Sequence, residues 1–193
     1  MSKAKHNTRA AAYANRVDFC RIFSEDMNSL YLLALLLTAD REKAEQCFVC
    51  GLEDAAKGNP VFKEWARSWT RRMIIQNAVR SINPRPADGS ARSSAASLDG
   101  HDETLLPERL AHLDAVLGLE PFERFVYVMT VLERYSEYEC SLLLGAARRD
   151  VLAARTRALQ HFASAVDLHD RQLANVGSSV LELMLPRRLA TSA

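Results

Sequence analysis

Glycine and proline are scarce in this chain, with seven and six respectively among 193 residues. An all-β fold needs many tight turns, and the residues that favour such turns are largely missing. Alanine, leucine, arginine and glutamate dominate instead, and these residues favour helices. The composition therefore predicts an all-α protein.

The chain also lacks a disulfide framework, an excess of one charge and a long apolar run. Its four cysteines are too few and too scattered to form a framework, which indicates a reducing compartment. The formal net charge is +1, so any nucleic-acid-binding surface has to be local. The apolar run at 30–37 is far shorter than the roughly 20 residues that span a bilayer, and residues 1–16 lack the apolar stretch of a secretory signal. We expect a cytoplasmic protein without membrane insertion.

Patterns typical of enzymes and metal sites are missing as well. Cys47 and Cys50 have the spacing of a zinc half-site, but no second Cys/His pair follows at a suitable distance, so core packing is the better interpretation. The histidines stand singly, and there is no glycine-rich phosphate loop. The sequence thus predicts a protein that is not an enzyme and that needs neither a metal nor a cofactor.

Three helices are predicted in the first half. Residues 30–37 are apolar on all sides, and leucine and alanine favour a buried helix there. Asp40 can cap a second helix, which ends at Gly58. A third helix is predicted over 61–82. In the second helix, one face is indicated by the helical spacing of Ala44, Cys47, Phe48, Gly51 and Ala55. In the third helix, one face is indicated by Phe62, Ala66, Trp69 and Met73.

The second half begins after a change of composition. Residues 83–104 are rich in Pro, Gly, Ser and Ala, which predicts a flexible linker. Ser136 and Glu139 have the spacing of a capping box, and Gly145 can end the short helix that follows. A longer helix starts near Asp150, so the arrangement predicts a helix-turn-helix. Amphipathic spacing predicts further helical positions before and after it, at Leu106, Leu110, Leu113, Leu117, Pro121, Phe122, Phe125, Val126, Met129, Leu132, Val151, Ala154, Ala158, Phe162 and Val166.

Three segments resemble bacterial sigma factors of the compact extracytoplasmic-function type. Residues 30–45, LYLLALLLTADREKAE, are similar to the family's "LALRLTGDREDAED". Residues 62–71, FKEWARSWTR, resemble "F..WL..IAR", and residues 133–145, ERYSEYECSLLLG, resemble "EGYSYEEIAELLG". The resemblance implies two small helical domains joined by a flexible linker. The segments are a basic tail at 1–15, a region 2-like domain at 16–82, the linker at 83–104, a region 4-like domain at 105–166, and a tail at 167–193 with a short apolar stretch.

The resemblance implies a transcription initiation factor that binds core RNA polymerase and promoter DNA, with an anti-sigma factor as a further partner. Aromatic and basic side chains can stack on and hold an unpaired −10 strand, and arginines on the second helix of a helix-turn-helix can reach the −35 major groove. The alternative is that Trp69 and one face of Trp65 pack in the core and the arginines are solvated. The −10 set is Trp65, Arg67, Arg71, Arg72 and Arg80; the −35 set is Arg148, Arg149, Arg155 and Arg157; the polymerase-binding set is Glu45, Gln46, Val49 and Glu53.

The sequence departs from the family pattern at each of these surfaces. Residues 46–52, QCFVCGL, stand where the family usually has "DLVQETF", and Arg72 and Gln76 replace an Asn-x-x-x-Asp pattern. Residues 147–155, ARRDVLAAR, lack the family's usual Ser, Thr and Lys. These departures favour an alternative function, a sigma-like protein-interaction module that regulates transcription without recognising promoters.

Overall fold

The computed structural model describes residues 12–58, 60–86 and 107–164, with side chains from residue 112 onward in the last segment. Regular structure in these ranges is helical, apart from one isolated β-bridge between Tyr13 and Phe62. The all-α prediction is therefore confirmed for the described residues. In the same ranges, no helix combines the length and apolar content needed to cross a bilayer.

Eight α-helices and two short irregular turns of helix follow one another in these ranges. They are α1 (Arg16–Glu25), α2 (Met27–Thr38), α3 (Arg41–Lys57), a 3₁₀ turn (Lys63–Trp65), α4 (Ala66–Ile82), α5 (Pro107–Leu117), α6 (Pro121–Tyr127), a π-helical turn (Val128–Leu132), α7 (Glu137–Leu144) and α8 (148–164).

Helices α1 to α4 form the first half. The predicted cap of α3 is confirmed, because the Asp40 side chain accepts a hydrogen bond from the backbone N–H of Lys43. The predicted inward face of α3 is largely confirmed too, with Ala44, Cys47, Gly51 and Ala55 buried. Helix α1, which begins with a capping box between Asn15 and Asp18, is not among the helices predicted from the sequence.

The predicted start of the third helix is wrong. Phe62 lies in the β-bridge with Tyr13 and stacks on its ring at 4.6 Å, so the chain is extended there. A 3₁₀ turn follows, and α4 begins only at Ala66. The cause is a contact with a residue far away in the sequence, which helical periodicity does not register.

The second half contains the local signals that the sequence indicates. Pro121 opens α6, where a missing N–H costs nothing. The Ser136–Glu139 capping box opens α7, and Gly145 ends it with φ 61°, a left-handed conformation that glycine adopts without strain. Val151, Ala154 and Ala158 are buried on the inner face of α8. The helix-turn-helix prediction agrees with this geometry.

The two halves are in contact through a shared hydrophobic cluster that includes Leu37 and Phe125. Arg124, 5% exposed, connects them, because its guanidinium donates to the backbone carbonyls of Leu37 and Thr38 in α2 and of Leu117 and Leu119 in its own half. A cation at the carboxyl end of α2 also complements the helix dipole. Burial lowers the pKa of Arg124.

Several predictions lie outside the described residues. These are the tail at 1–11, the linker from 87 to 104, Leu106, the side chain of Leu110, Val166 and the tail at 167–193 with its apolar stretch. The linker and the domain limits therefore stay predictions.

Candidate nucleic-acid interface

Arg71, a residue of the −10 set, bridges the two halves. Its Nε donates to Glu133 Oε2 at 2.6 Å, and a second nitrogen donates to the other oxygen of that carboxylate. A third hydrogen bond reaches the Ser29 hydroxyl at 2.9 Å. Glu133 is 9% exposed, so this forked pair is largely shielded from water, and its hydrogen bonds raise the pKa of Arg71.

Two other arginines of the −10 set are paired inside the first half. Arg67 bonds to both Glu25 and Asp26, across the junction between α1 and α2. Arg80 donates to Asp54 at 2.9 Å, and the hydrogen bond from Arg80 is the main cause that lowers the pKa of that carboxyl. These two guanidinium groups therefore serve contacts with neighbouring helices.

Trp65, Arg71 and Arg72 line one open groove between the halves. The groove has a volume of about 780 Å³, and its wall from the first half also includes Trp69 and Gln76. Trp65 is 58% exposed. Trp69 is only partly exposed and packs against the core, which agrees with the alternative interpretation for that residue.

Trp65 is held at the groove by contacts with neighbouring aromatic rings. The Phe62 ring stacks on Tyr13 and meets the Trp65 indole edge-on, with ring centroids 5.3 Å apart. The β-bridge that displaces the start of α4 thus also positions the exposed indole. Because Trp65 is 58% exposed, much of the indole surface is accessible to another ring.

The opposite wall of the groove belongs to the second half. Glu133, Arg134 and Tyr135 follow the π-helical turn directly, and Arg134 has φ 59°, which costs a non-glycine residue roughly 1–2 kcal/mol. Sequence analysis missed these residues as part of a site. The signal for the left-handed turn would have been a glycine or asparagine, and neither is present.

The arginines of the −35 set are mostly paired within the second half. Arg148 and Arg155 both bond to Glu137 at the start of α7, at 3.4 and 3.1 Å. Arg157 pairs with Glu123 of α6. The Arg149 side chain is 89% exposed, and within the part of the chain that the structure describes its ion pair is with its neighbour Asp150, at 3.5 Å.

The outward face of α8 differs from the set that the sequence indicates. Arg149, Ala153, Thr156 and Gln160 recur at helical spacing and are all exposed, opposite the buried Val151, Ala154 and Ala158. Thr156 and Gln160 therefore join Arg149 at the face that could meet a partner. The periodicity of the buried residues contained this signal.

The polymerase-binding set lies on one exposed stripe of α3. Glu45, Gln46, Val49 and Glu53 are all exposed. Glu45 pairs with Arg41, and Glu53 pairs with Lys57 at 2.7 Å. Val49, 55% exposed, leaves an apolar spot between the two acids. The stripe has the exposure that a docking surface needs, and nothing in the described residues covers it.

The cysteines and the possible metal ligands were further candidates for a functional site. Cys47 is buried as predicted, whereas Cys50 is exposed, so core packing is confirmed for the first and wrong for the second. Burial raises the pKa of Cys47 and of Cys140 to about 11. Across the described ranges, no three His, Cys, Asp or Glu side chains are grouped as metal ligands.

No protein-family model matches the chain, and no curated protein matches it in sequence.

Proposed function

We propose that the protein is a transcription initiation factor of the sigma type, which binds core RNA polymerase and recognises promoter −10 and −35 elements. The observation that supports this most is the helix-turn-helix, whose second helix carries Arg149, Thr156 and Gln160 on its exposed face. Side chains of these types can form hydrogen bonds with base edges in the major groove.

In this proposal each of three surfaces has one role. The stripe with Val49 on α3 docks on the polymerase. Trp65 and Arg72 meet the unpaired −10 strand, by stacking and by charge. The outward face of α8 enters the −35 major groove. Such a factor would act in the cytoplasm, and an anti-sigma factor would be a natural regulator.

The paired arginines limit how the first half could hold DNA. Arg71 is occupied by Glu133, and Arg67 by Glu25 and Asp26. In the proposed function the −10 strand would therefore contact Trp65 and Arg72 first. Arg71 would contribute only if the junction between the halves opens.

A second candidate function is a sigma-like module that binds protein and regulates transcription without reading promoters. Tyr138 and Leu142 favour it, because they lie one turn apart on α7 and are 62% and 64% exposed. An exposed aromatic and leucine pair on one helix face is typical of a protein contact.

The test is transcription by core polymerase from a library of the host's promoters, with and without the purified full chain. We expect specific transcripts that are lost with Arg149→Gln and with Trp65→Ala. Arg21→Gln on α1 is the matched control, since it removes the same charge from a residue outside the three surfaces. If no transcript appears although the chain is folded and the polymerase works with another sigma factor, the initiation proposal fails.

Salt dependence separates the two candidate functions further. Binding of duplex promoter DNA releases counterions, so its affinity should fall steeply as salt rises. A complex that forms mainly through Tyr138 and Leu142 should change little over the same range and weaken with Leu142→Ser.

A further inference from the structure

More arginines than carboxylates line the groove between the halves. Arg72 and Arg134 line it and take part in no ion pair within the described residues, whereas Arg71 is held by Glu133. The other lining carboxylate, Glu139, accepts hydrogen bonds from the backbone N–H and the hydroxyl of Ser136, at 2.9 and 2.7 Å. Glu139 keeps its negative charge, since the hydrogen bonds from Ser136 lower its pKa and Arg72 is a further cause that lowers it. Three arginines and two carboxylates line the groove, so it has a formal excess of one positive charge and favours an anion.

Aromatic surface lies beside these cations. Trp65 is exposed and braced edge-on by Phe62, and Trp69 and Tyr135 also line the groove. Gln76 adds an amide, which can donate and accept hydrogen bonds at the edge of a planar ligand. An anion that also carries a flat ring fits these groups better than a bare anion does.

The backbone of the second wall is irregular at this site and regular in the helices around it. A π-helical turn ends at Leu132, and Arg134 then adopts φ 59°, so the chain keeps a strained conformation that turns this segment into the groove. Both features are frequent at functional sites. They place Arg134 and Tyr135 opposite α4.

We propose that this groove binds a free nucleoside phosphate. The base stacks on Trp65, the Gln76 amide bonds to the edge of the base, and the phosphates lie between Arg72 and Arg134. The groove volume of about 780 Å³ accommodates such a ligand. Because its walls come from both halves, the ligand stabilises their contact. This inference does not rest on the proposed transcription function.

The binding test uses the full chain and isothermal titration calorimetry. The probes are ATP, GTP, CTP and UTP and their monophosphates, with inorganic pyrophosphate and a ten-nucleotide single-stranded DNA as separate arms. We expect saturable binding of at least one nucleotide, tighter than pyrophosphate. The chain has two tryptophans and both line the groove, so quenching of tryptophan fluorescence should follow the same isotherm.

Variants separate this site from general attraction of anions. Arg134→Gly removes the cation and relieves the left-handed backbone, so loss of binding in a chain that folds at least as well cannot come from unfolding. We expect binding about tenfold weaker or more, the effect of losing a charged hydrogen bond. Trp65→Leu keeps apolar bulk without the ring and should weaken binding by about tenfold. Arg21→Gln on α1 is the charge-matched control, since Arg21 lies outside the groove and outside the three proposed surfaces, and it should leave nucleotide binding unchanged.

Three results would each overturn the inference. One is that no nucleotide binds at millimolar concentration. Another is that a comparison ligand replaces the nucleotides: pyrophosphate binds as tightly as they do, or only the oligonucleotide binds. The third is an affinity that Arg134→Gly and Arg72→Gln leave unchanged. Any of these can occur while promoter-specific transcription succeeds, so failure of this inference and failure of the proposed function are distinguishable.

Discussion

The arginines of α4 and of α8 are used in different ways. On α4, Arg71 crosses to the second half and forks onto Glu133, which is almost buried. On α8, Arg148 and Arg155 share Glu137, and Arg157 pairs with Glu123, always within the second half. These three arginine side chains are 67%, 41% and 50% exposed. The ion pair of Arg71 therefore connects the two halves, whereas the ion pairs of α8 connect helices within the second half.

The difference in exposure decides whether an arginine mainly stabilises the fold or remains available to bind a ligand. A shielded ion pair that loses one partner leaves an uncompensated charge, which costs several kcal/mol. An exposed pair is screened by water and contributes about 0–1 kcal/mol. The arginines of α8 can therefore exchange their carboxylates for a phosphate at little cost, whereas Arg71 cannot do so without weakening the junction between the halves.

The largest effect is expected where the junction is most buried. Arg124→Ala should lower the free energy of unfolding by about 3 kcal/mol, because buried carbonyls in both halves lose their donor and a cavity forms. Chemical denaturation measures this change. Arg41→Ala, at the exposed pair with Glu45 on α3, is the control and should cost less than about 1 kcal/mol. Equal losses for the two variants would contradict the comparison.

The ion pair across the junction should give the next largest effect. Arg71→Ala should cost about 2 kcal/mol, since Glu133 is left charged and largely shielded. A double-mutant cycle with Glu133→Ala should give a coupling energy above about 1 kcal/mol. A coupling energy near zero would mean that the pair does not hold the halves together.

On α7, the shared carboxylate offers a smaller effect on stability. Glu137→Gln should cost less than about 1 kcal/mol, because Arg148 and Arg155 are partly exposed. Under the proposed function it should raise the affinity for duplex DNA, since Arg148 and Arg155 are released for phosphates. Fluorescence anisotropy at several salt concentrations measures this change. Glu53→Gln on α3 removes the same charge and should leave DNA affinity unchanged.

The reaction rates of the four cysteines test the burial of both halves in the chain without any substitution. Cys47 and Cys140 are buried in the first and second half, and Cys20 and Cys50 are exposed. At pH 8 a thiol reagent should modify Cys20 and Cys50 quickly, and the buried pair only after unfolding. Four equally fast thiols would contradict the fold.

The same thiols should make stability depend on pH in the alkaline range. Burial holds the pKa of both Cys47 and Cys140 at about 11, against a usual value of 9.0. Above pH 9 the unfolded chain releases these protons while the folded chain retains them, so stability should fall from pH 9 towards pH 11. Cys47→Ser with Cys140→Ser should remove this part of the pH dependence, whatever its effect at neutral pH.

How much of the molecule was predictable depends on the distance along the chain over which each contact acts. The caps at Asp40 and Ser136 join residues three positions apart, so the sequence alone identified them. The start of α4 was missed because Phe62 pairs with Tyr13, in a part of the chain that was taken for a tail. The outward face of α8 was only partly predicted from the sequence. The predicted set contains arginines because they are positively charged, whereas the exposed face depends on the position of each residue around the helix.

By itself, the sequence determined that the described chain is helical, where α2, α3, α4 and α7 end and which faces of α3 and α8 are buried. These features depend on caps and periodicities that act within one or two helical turns. Only the tertiary structure decided which arginines remain available, because Glu133 lies 62 residues from Arg71 in the chain and reaches it through the packing of the halves. The same packing brings Trp65 and Arg134 to one groove, and no local pattern contains that juxtaposition.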